Sequence, residues 1–361
     1  MADPSAAKLA LVTGGTGLLG SHIAERLAAR GDRVRALIRP ASDTRFLRTL
    51  GAELVVGDLT DPASCREATR GVDEVYHCAA KVGDWGRWPE FQSGCLDATR
   101  VLAEAALESG VGRFLHISST SAYGHPAEGS PPITEEAPLG QNFWRFWDYY
   151  TRSKVECERI LWRLAADRGL PLTIIRPSWL YGERDRTTIA RLAGRLRAGK
   201  VPLIGPGDNP ISAVYAGNVA DAAILAARDP GSVGEAYNIT HQGWISQRDY
   251  LAEFVRATGA PPVRRKVSYH AVYAIAFVLE AIYRTARSRR PPMITRYATW
   301  LMGRSLSYST EKAQARLCWR PELGYRESIE RSVRWFEAEA DRAGLEHRPD
   351  GHRKEEPSGS A

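Results

Sequence analysis

The sequence predicts an α/β protein with a doubly wound parallel sheet and a smaller, mainly helical C-terminal lobe. Strand-like apolar runs alternate with helical patterns in the first half of the chain, a glycine-rich turn follows the first run, and the alternation loosens after Pro177. Such alternation specifies parallel strands with helices on both faces of the sheet. The strands are predicted at residues 9–12, 33–38, 53–56, 74–77, 114–117 and 172–175.

The same pattern divides the chain into four parts. We expect a disordered N-terminus at 1–7, a sheet domain at 8–182, a second lobe at 183–345 with some segments returning to the sheet, and a disordered tail at 346–361. The tail is charged and then rich in Pro, Ser and Gly, and it lacks apolar periodicity. Asp61, directly before a proline, predicts the start of a helix.

Composition is that of an ordinary globular protein. With 361 residues and 43% apolar content, the chain is able to bury a large core. The five cysteines are scattered without a Cys-x-x-Cys pair, which argues against a disulfide framework or a zinc site and favours a reducing, cytoplasmic compartment. The N-terminus resembles neither a signal nor a transit peptide, and no apolar stretch reaches the roughly 18 residues of a spanning helix.

The net charge of +7 is spread over the whole length, among 42 acidic residues. The sequence contains no basic stripe and no known nucleic-acid-reading module, so we expect no nucleic-acid partner. A phosphorylated cofactor or an anionic membrane surface accounts for the excess charge as well.

A glycine-rich turn joins the first predicted strand to a helix predicted at 21–29. Residues without a β-carbon let backbone N–H groups and a helix N-terminus approach a pyrophosphate. A structural glycine turn is the alternative, but strand and helix flank this loop as a dinucleotide motif requires. The predicted dinucleotide-binding residues are Gly14, Gly17, Leu18, Leu19 and Gly20.

The end of the second predicted strand indicates which dinucleotide binds. Arg39 stands where an acidic residue would accept hydrogen bonds from an adenosine ribose, and a guanidinium there pairs with a 2′-phosphate. NADP(H) is therefore favoured over NAD(H), although a solvated surface arginine has the same sequence appearance. We expect Asp58 and Leu59 to lie against the adenine; the alternative for Asp58 is that it only stabilises a turn. Ala79 and Ala80 are expected beside the ribose.

Tyr150 and Lys154 are four residues apart at the head of a helical segment, so their side chains share a helix face. An ammonium beside a phenol stabilises the phenolate and makes it usable for acid-base chemistry near neutrality. Ser119 ends a predicted strand whose C-terminal end faces the cofactor crevice, and its hydroxyl is placed to bind a substrate oxygen. The competing hydroxyls are Ser118, Thr120 and Ser121, of which Ser118 is the nearest rival.

Together these motifs resemble the extended short-chain dehydrogenase/reductase superfamily. The further counterparts are the Ser-Ser-x-x-x-Tyr-Gly segment at 118–124 and the Arg-Pro-x-x-x-Tyr-Gly segment at 176–182. The resemblance implies a Rossmann-type domain with Ser119, Tyr150 and Lys154 as its triad. It also places Pro177, Ser178 and Trp179 beside the nicotinamide.

Two segments depart from the superfamily pattern. The family's Asn-Val-x-Gly-Thr is replaced by the segment 95–99, Cys-Leu-Asp-Ala-Thr, which lacks the asparagine. The Thr-Asp-Glu of sugar-nucleotide dehydratases is replaced by the segment 120–122, Thr-Ser-Ala, so the acid for dehydration is missing.

The segment 209–215, with Asn218-Val219 after it and the segment 291–296 further on, resembles the 3β-hydroxysteroid and sterol-4α-carboxylate 3-dehydrogenase branch. Bacterial relatives that reduce long-chain 3-oxo acids are similar. Ile211 stands where sugar-nucleotide epimerases carry a phosphate-binding arginine. A bulky hydrophobic alcohol or ketone is therefore the expected substrate. A sugar-nucleotide epimerase and a non-catalytic dinucleotide-binding sensor or scaffold are the alternatives.

Aromatic residues favour an apolar substrate, with the alternative that they only fill the core between the two lobes. The predicted substrate residues are Trp85, Trp88, Phe143, Trp144, Trp147 and Ile211, with Phe146 beside them.

Residues 271–283 have the pattern of a nearly unbroken apolar helix, and Arg284, Arg287, Arg289 and Arg290 follow it within the segment 271–290. The apolar run is too short to span a bilayer. Peripheral contact with an anionic membrane is one interpretation, and a buried lid helix with a solvated basic end is the other. The resemblance also implies a possible homodimer.

Overall fold

The computed structural model describes residues 7–142, 148–185, 188–241 and 243–346. Its strands are β1 (Leu9–Thr13), β2 (Arg33–Ile38), β3 (Glu53–Val56), β4 (Glu74–His77), β5 (Arg113–Ile117), β6 (Leu172–Pro177), β7 (Trp179–Tyr181), β8 (Leu203–Ile204), β9 (Ala213–Tyr215), β10 (Glu235–Ile239) and β11 (Lys266–Val267). The helices are α1 (Leu18–Ala29), α2 (Arg45–Thr49), α3 (Pro62–Thr69), α4 (Trp88–Phe91), α5 (Ala98–Glu108), α6 (Tyr149–Arg168), α7 (Thr188–Arg197), α8 (Ala216–Arg228), α9 (Gln247–Thr258), α10 (Tyr269–Thr285), α11 (Arg296–Gly303), α12 (Glu311–Leu317) and α13 (Tyr325–Glu346). Three short helical segments complete the elements: a π-helix at Gln92–Asp97 and 3₁₀ turns at Thr120–Tyr123 and Pro230–Ser232.

A seven-stranded sheet forms the centre, in the order β10-β6-β5-β4-β1-β2-β3. Every pair in it is parallel, which confirms the predicted doubly wound α/β sheet. All six predicted strands are present. The helix after the glycine turn begins at Leu18, three residues before its predicted start, because the turn itself winds directly into the first helical residues. The predicted cap is also present, since Asp61 accepts hydrogen bonds from the backbone N–H groups of Ala63 and Ser64.

The sheet is covered on both faces because successive strand residues point to opposite sides. Ala10 and Val12 of β1 pack against apolar residues of α1 and α8, whereas Leu9 and Leu11 pack against those of α3, α5 and α6. Both layers are apolar and almost fully buried, as expected for a parallel sheet.

A mainly helical region follows β6, as predicted. It contains two small parallel pairs, β7 with β9 and β8 with β11. A third apolar core lies here, formed by residues of α7, α9 and α13 together with those of β7 and β9. The boundary at residue 182 stays a prediction. Elements beyond it, α8 and β10, belong to the central sheet and its covering layer.

The carboxyl ends of β1, β4, β5 and β6 lie side by side in the middle of the sheet. In an open α/β sheet this edge is where ligands bind. Among the described residues, no helix combines the length and the apolar character needed to cross a membrane.

Candidate active site

The glycine turn after β1 brings a loop and a helix into direct contact. A β-carbon on Gly20 would lie 2.3 Å from the carbonyl oxygen of Gly14, so the first turn of α1 packs against the loop only because residue 20 is glycine. Gly14 has a φ of +67°, which favours glycine, and a β-carbon there would lie 2.9 Å from the backbone nitrogen of Ala79. The two glycines therefore hold the ends of β1 and β4 and the start of α1 close together.

The N-terminus of α1 is built to receive an anion. Gly17 caps the helix without a side chain that could accept a hydrogen bond from the first turn, and no acidic residue lies in that turn. The first N–H groups and the positive end of the helix dipole are thus left for a ligand. Leu19 is buried in the core, so only its backbone is placed to contact such a ligand, whereas Leu18 is half-buried. These features fit the pyrophosphate of a dinucleotide.

A buried hydrogen-bonded chain, which the sequence did not indicate, supports this turn from below. The Thr13 hydroxyl lies 2.8 Å from Nδ1 of His77, and Nε2 of His77 lies 2.9 Å from the Thr99 hydroxyl. The backbone N–H of Ala79 donates to the Thr13 hydroxyl. Burial, reinforced by the charge of Lys154, lowers the pKa of His77 to about 3, so the ring is neutral. It connects the hydroxyls of Thr13 and Thr99 through hydrogen bonds.

Arg39 is exposed at the end of β2 and forms no ion pair with any described residue. Asp58 lies at the end of the neighbouring strand, where its Oδ1 accepts hydrogen bonds from the hydroxyl and the N–H of Thr60. These bonds, with the positive charge of Arg39, lower the pKa of Asp58. Asp58 is therefore a turn acid here, and its contact with adenine stays a prediction, as does that of Leu59, which packs partly against the core.

Tyr150 and Lys154 lie in the first turns of α6. The helix is capped by the buried Asp148, whose Oδ1 accepts a hydrogen bond from the N–H of Thr151. The other carboxylate oxygen, Oδ2, lies 2.7 Å from Nε2 of His125. Sequence reasoning missed this cap because His125 is far from α6 along the chain. Capping fixes where the helix starts, and so fixes which way the Tyr150 ring points.

Lys154 is the most unusual charged group of the site. Its side chain is buried, with Lys154 only 5% exposed, and Nζ donates to the carbonyl oxygen of Ile117 at 3.2 Å. Nζ lies 6.0 Å from the centre of the Tyr150 ring. Among the described residues no carboxylate pairs with this ammonium. An unpaired buried cation is costly, so the arrangement favours any group at the crevice that carries or develops negative charge.

The two serines after β5 have different surroundings. Ser118 is buried and its hydroxyl donates to Glu158 at 2.5 Å, whereas Ser119 is half-buried and its Oγ accepts from the N–H of Ser121 at 3.2 Å. The hydroxyl proton of Ser119 is thus left for another acceptor. This placement favours Ser119 over its nearest rival, because the Ser118 hydroxyl is already committed to a buried carboxylate.

A buried ion pair holds α6 to the sheet. Glu158 of α6 and Arg176 of β6 form two hydrogen bonds, at 3.0 and 2.7 Å, and both side chains are at most 5% exposed. Arg176 also donates to the Tyr123 hydroxyl, which in turn donates to Asn238. Burial lowers the pKa of Arg176, but the carboxylate of Glu158 outweighs it and leaves the pKa raised.

The site therefore combines a glycine turn at a helix N-terminus with a hydroxyl, a phenol and an ammonium at one sheet edge. Residues 10–240 match the NAD dependent epimerase/dehydratase family. The chain belongs to this family. A 2-alkyl-3-oxoalkanoate reductase of Stenotrophomonas maltophilia is 31% identical over 328 residues, covering 89% of this chain and 97% of the relative. The sterol-4-alpha-carboxylate 3-dehydrogenase (decarboxylating) of Mus musculus is 28% identical over 343 residues, covering 92% of each.

A solved structure supports the fold of this family member. UDP-glucose 4-epimerase of Thermus thermophilus, crystallised in complex with NAD, matches with a TM-score of 0.71 and 24% identity, covering 91% of this chain and 99% of that chain. The chain is thus an extended short-chain dehydrogenase/reductase of the 3β-hydroxysteroid dehydrogenase-like branch, and an NAD(P)-dependent dehydrogenase/reductase. This finding speaks against a non-catalytic sensor or scaffold.

The residues predicted to lie beside the nicotinamide and its ribose differ in their surroundings. Pro177 ends β6, and the hydroxyl of the buried Ser178 donates to Thr240 at 2.9 Å. The Trp179 ring packs on Tyr250 in the third core. Ala79 and Ala80 are half-buried beyond β4. Contact of these residues with a cofactor stays a prediction.

The predicted substrate residues are only partly brought together. Trp85 and Trp88 both lie near Tyr149. The Arg284 guanidinium lies over the rings of Trp85 and Tyr149, and the Trp88 ring contacts the Tyr149 ring directly. Ile211 is 5% exposed and packs in the third core, an environment that gives no support to a substrate role. Phe143, Trp144, Phe146 and Trp147 lie outside the described residues.

The contact between the rings of Tyr150 and Tyr297 was not predicted from the sequence. The Tyr297 ring of α11 meets the Tyr150 ring edge-on at 5.9 Å. Asp84, after β4, accepts a hydrogen bond from Thr295 just before α11. Burial raises the pKa of Asp84, although the Thr295 hydroxyl opposes the shift. The start of α11 therefore closes one side of the site over Tyr150.

Proposed function

We propose that this enzyme interconverts a ketone and a secondary alcohol on a bulky hydrophobic substrate, a long-chain 3-oxo acid or a 3β-hydroxysterol. The observation that carries the proposal is the buried Lys154 ammonium, which has a carbonyl as its partner and lies under the Tyr150 ring. A cation at that point stabilises the negative charge that develops on the phenol oxygen as Tyr150 gives up its proton. The names of the relatives, a 3-oxoalkanoate reductase and a sterol 3-dehydrogenase, support the substrate class.

The chemistry of each side chain follows from its surroundings. In the reductive direction the Ser119 hydroxyl donates to the substrate carbonyl oxygen, and the Tyr150 hydroxyl gives that oxygen its proton. The phenolate that remains is stabilised by Lys154. A bound nicotinamide dinucleotide supplies the hydride in this direction and accepts it in the other. The N-terminus of α1 and the turn at Gly14 would hold the dinucleotide.

The substrate class is tested by turnover. With NADPH present, we expect oxidation of the cofactor by a 2-alkyl-3-oxo fatty acid or by a 3-oxosterol, followed as loss of absorbance, and no epimerisation of UDP-glucose. Ile211, buried where epimerases carry a phosphate-binding arginine, is the reason to expect no sugar nucleotide turnover. Epimerisation of UDP-glucose without turnover of either apolar ketone would contradict the proposal.

We also propose that NADP(H) is preferred, because the exposed Arg39 guanidinium forms no ion pair with a described residue and would pair with a 2′-phosphate. A charged hydrogen bond is worth about 1.5–3 kcal/mol, so NADPH should bind roughly 10–100-fold more tightly than NADH. Arg39→Asp should reverse this order, as measured by fluorescence titration of both cofactors. Arg33→Asp, a matched change of an exposed arginine at the other end of β2, should leave the ratio unchanged. Equal affinities in the wild type would contradict the preference.

A further inference from the structure

Helix α10 turns an apolar face to solvent. It packs against α11 through Glu280, which is buried, while Ala276 is fully buried beside it. On the other side, Ile275 (55% exposed), Val278 (54%) and Ile282 (54%) follow one another at the spacing of a single helix face. Phe277 is 46% exposed beside them. The helix is therefore not buried as a lid on this face.

This apolar face also lacks charge. Between residues 271 and 283 the one charged residue is Glu280, and its carboxylate is paired with Arg296 on the buried side. A solvated surface helix normally carries charged and polar residues outward. Contiguous apolar surface of this kind marks a site that is covered by something else.

The C-terminal end of α10 is strongly basic. Four arginines follow within seven residues: Arg284, Arg287, Arg289 and Arg290. Arg287, Arg289 and Arg290 are exposed, and Met293 beyond them is 74% exposed. No acidic residue occurs between Glu280 and Glu311. We call the exposed apolar residues of α10 and these three exposed arginines the α10 face.

We propose that the α10 face docks on an anionic lipid bilayer, with its apolar side chains in the interface and its arginines on the headgroups. Both halves of the face fit this occupant, since an interfacial helix combines an apolar side with flanking cations. Two copies that paired through α10 would cover the apolar side. They would bring their segments 281–310 together, and these segments contain no acid to pair with the arginines. The inference does not depend on which substrate is turned over.

The docking surface is connected to the active site. The indole N–H of Trp85 donates to the carbonyl oxygen of Ser288 at 3.2 Å, directly beside the exposed arginines. Arg284 lies over the ring of Tyr149, the neighbour of Tyr150, at 5.5 Å. An apolar substrate dissolved in the bilayer would thus meet the enzyme on the side where the predicted substrate tryptophan lies.

Flotation of the full chain with lipid vesicles tests the proposal. We expect co-flotation with phosphatidylcholine vesicles containing about 30% phosphatidylglycerol, and at least about a hundredfold weaker binding to phosphatidylcholine alone, which offers the arginines no anionic headgroup. Since each arginine near such a surface contributes about a factor of five, Arg287→Ala/Arg289→Ala/Arg290→Ala should weaken binding roughly a hundredfold. Ile275→Asp/Ile282→Asp should weaken it at least about tenfold.

Matched controls separate docking from general charge or loss of folding. Arg48→Ala/Arg66→Ala/Arg70→Ala removes three exposed arginines elsewhere, and Val233→Asp places an acid at an exposed apolar position; both should bind like the wild type. Unchanged circular dichroism and Tm in all variants keep the comparison valid. Failure of the wild type to float, or binding of Ile275→Asp/Ile282→Asp equal to wild type, would overturn the proposal. So would light scattering that shows a dimer abolished by the same double change.

Discussion

Tyr150→Phe is expected to lower kcat for ketone reduction by about 10²–10⁴-fold, the usual contribution of a positioned acid-base group. The phenyl ring keeps the edge-on contact with Tyr297 and the position above Lys154, so the fold and the cofactor site should be preserved. Only the transferable proton is lost. Steady-state turnover with saturating NADPH, together with a titration of NADPH affinity, measures the two effects separately.

The adjacent Tyr149 offers a matched control for this change. Its ring packs on Trp88 at 5.7 Å and on Phe91 at 6.3 Å, one residue earlier on α6. Because these are ring contacts, Tyr149→Phe should keep kcat within about twofold of the wild type. Turnover by Tyr150→Phe at the wild-type rate, with cofactor bound, would refute the proton-transfer role of Tyr150.

The sequence was sufficient to predict six of the seven strands of the central sheet and the outline of the site. Buried parallel strands are continuous apolar runs, as in β1, and they are recognisable without knowledge of their neighbours. The glycine turn is equally local, because Gly14 and Gly20 are required by contacts within one loop and the end of β4. The spacing of Tyr150 and Lys154 places both on one helix face for the same reason.

What the sequence could not predict depends on contacts between distant segments. Strand β10 was missed, since its short run includes Asn238. The partners of this buried side chain among the described residues are Tyr123 and Ile133, more than a hundred residues away. The same is true of the His125–Asp148 cap. The outward apolar face of α10 was undecided for a related reason: an apolar helix has the same pattern whether its neighbours cover it or leave it open.

The ion pair between Glu158 and Arg176 should produce the largest change in stability. Arg176→Met is expected to lower the free energy of unfolding by about 3–5 kcal/mol, because it leaves the fully buried Glu158 carboxylate without its counter-charge. The change also removes the donor to Tyr123. Urea denaturation followed by circular dichroism measures the effect.

A second ion pair on the same helix provides the comparison. Arg159 and Glu156 of α6 are paired at 2.8 Å, but their side chains are 54% and 36% exposed. Arg159→Met should therefore change the free energy of unfolding by less than about 1 kcal/mol. Equal effects of the two substitutions would show that burial does not determine how much an ion pair contributes to the free energy of unfolding. If the effects differ as expected, Arg176 fixes α6 against β6, and through that contact it fixes the register of Tyr150 and Lys154 over the end of β5.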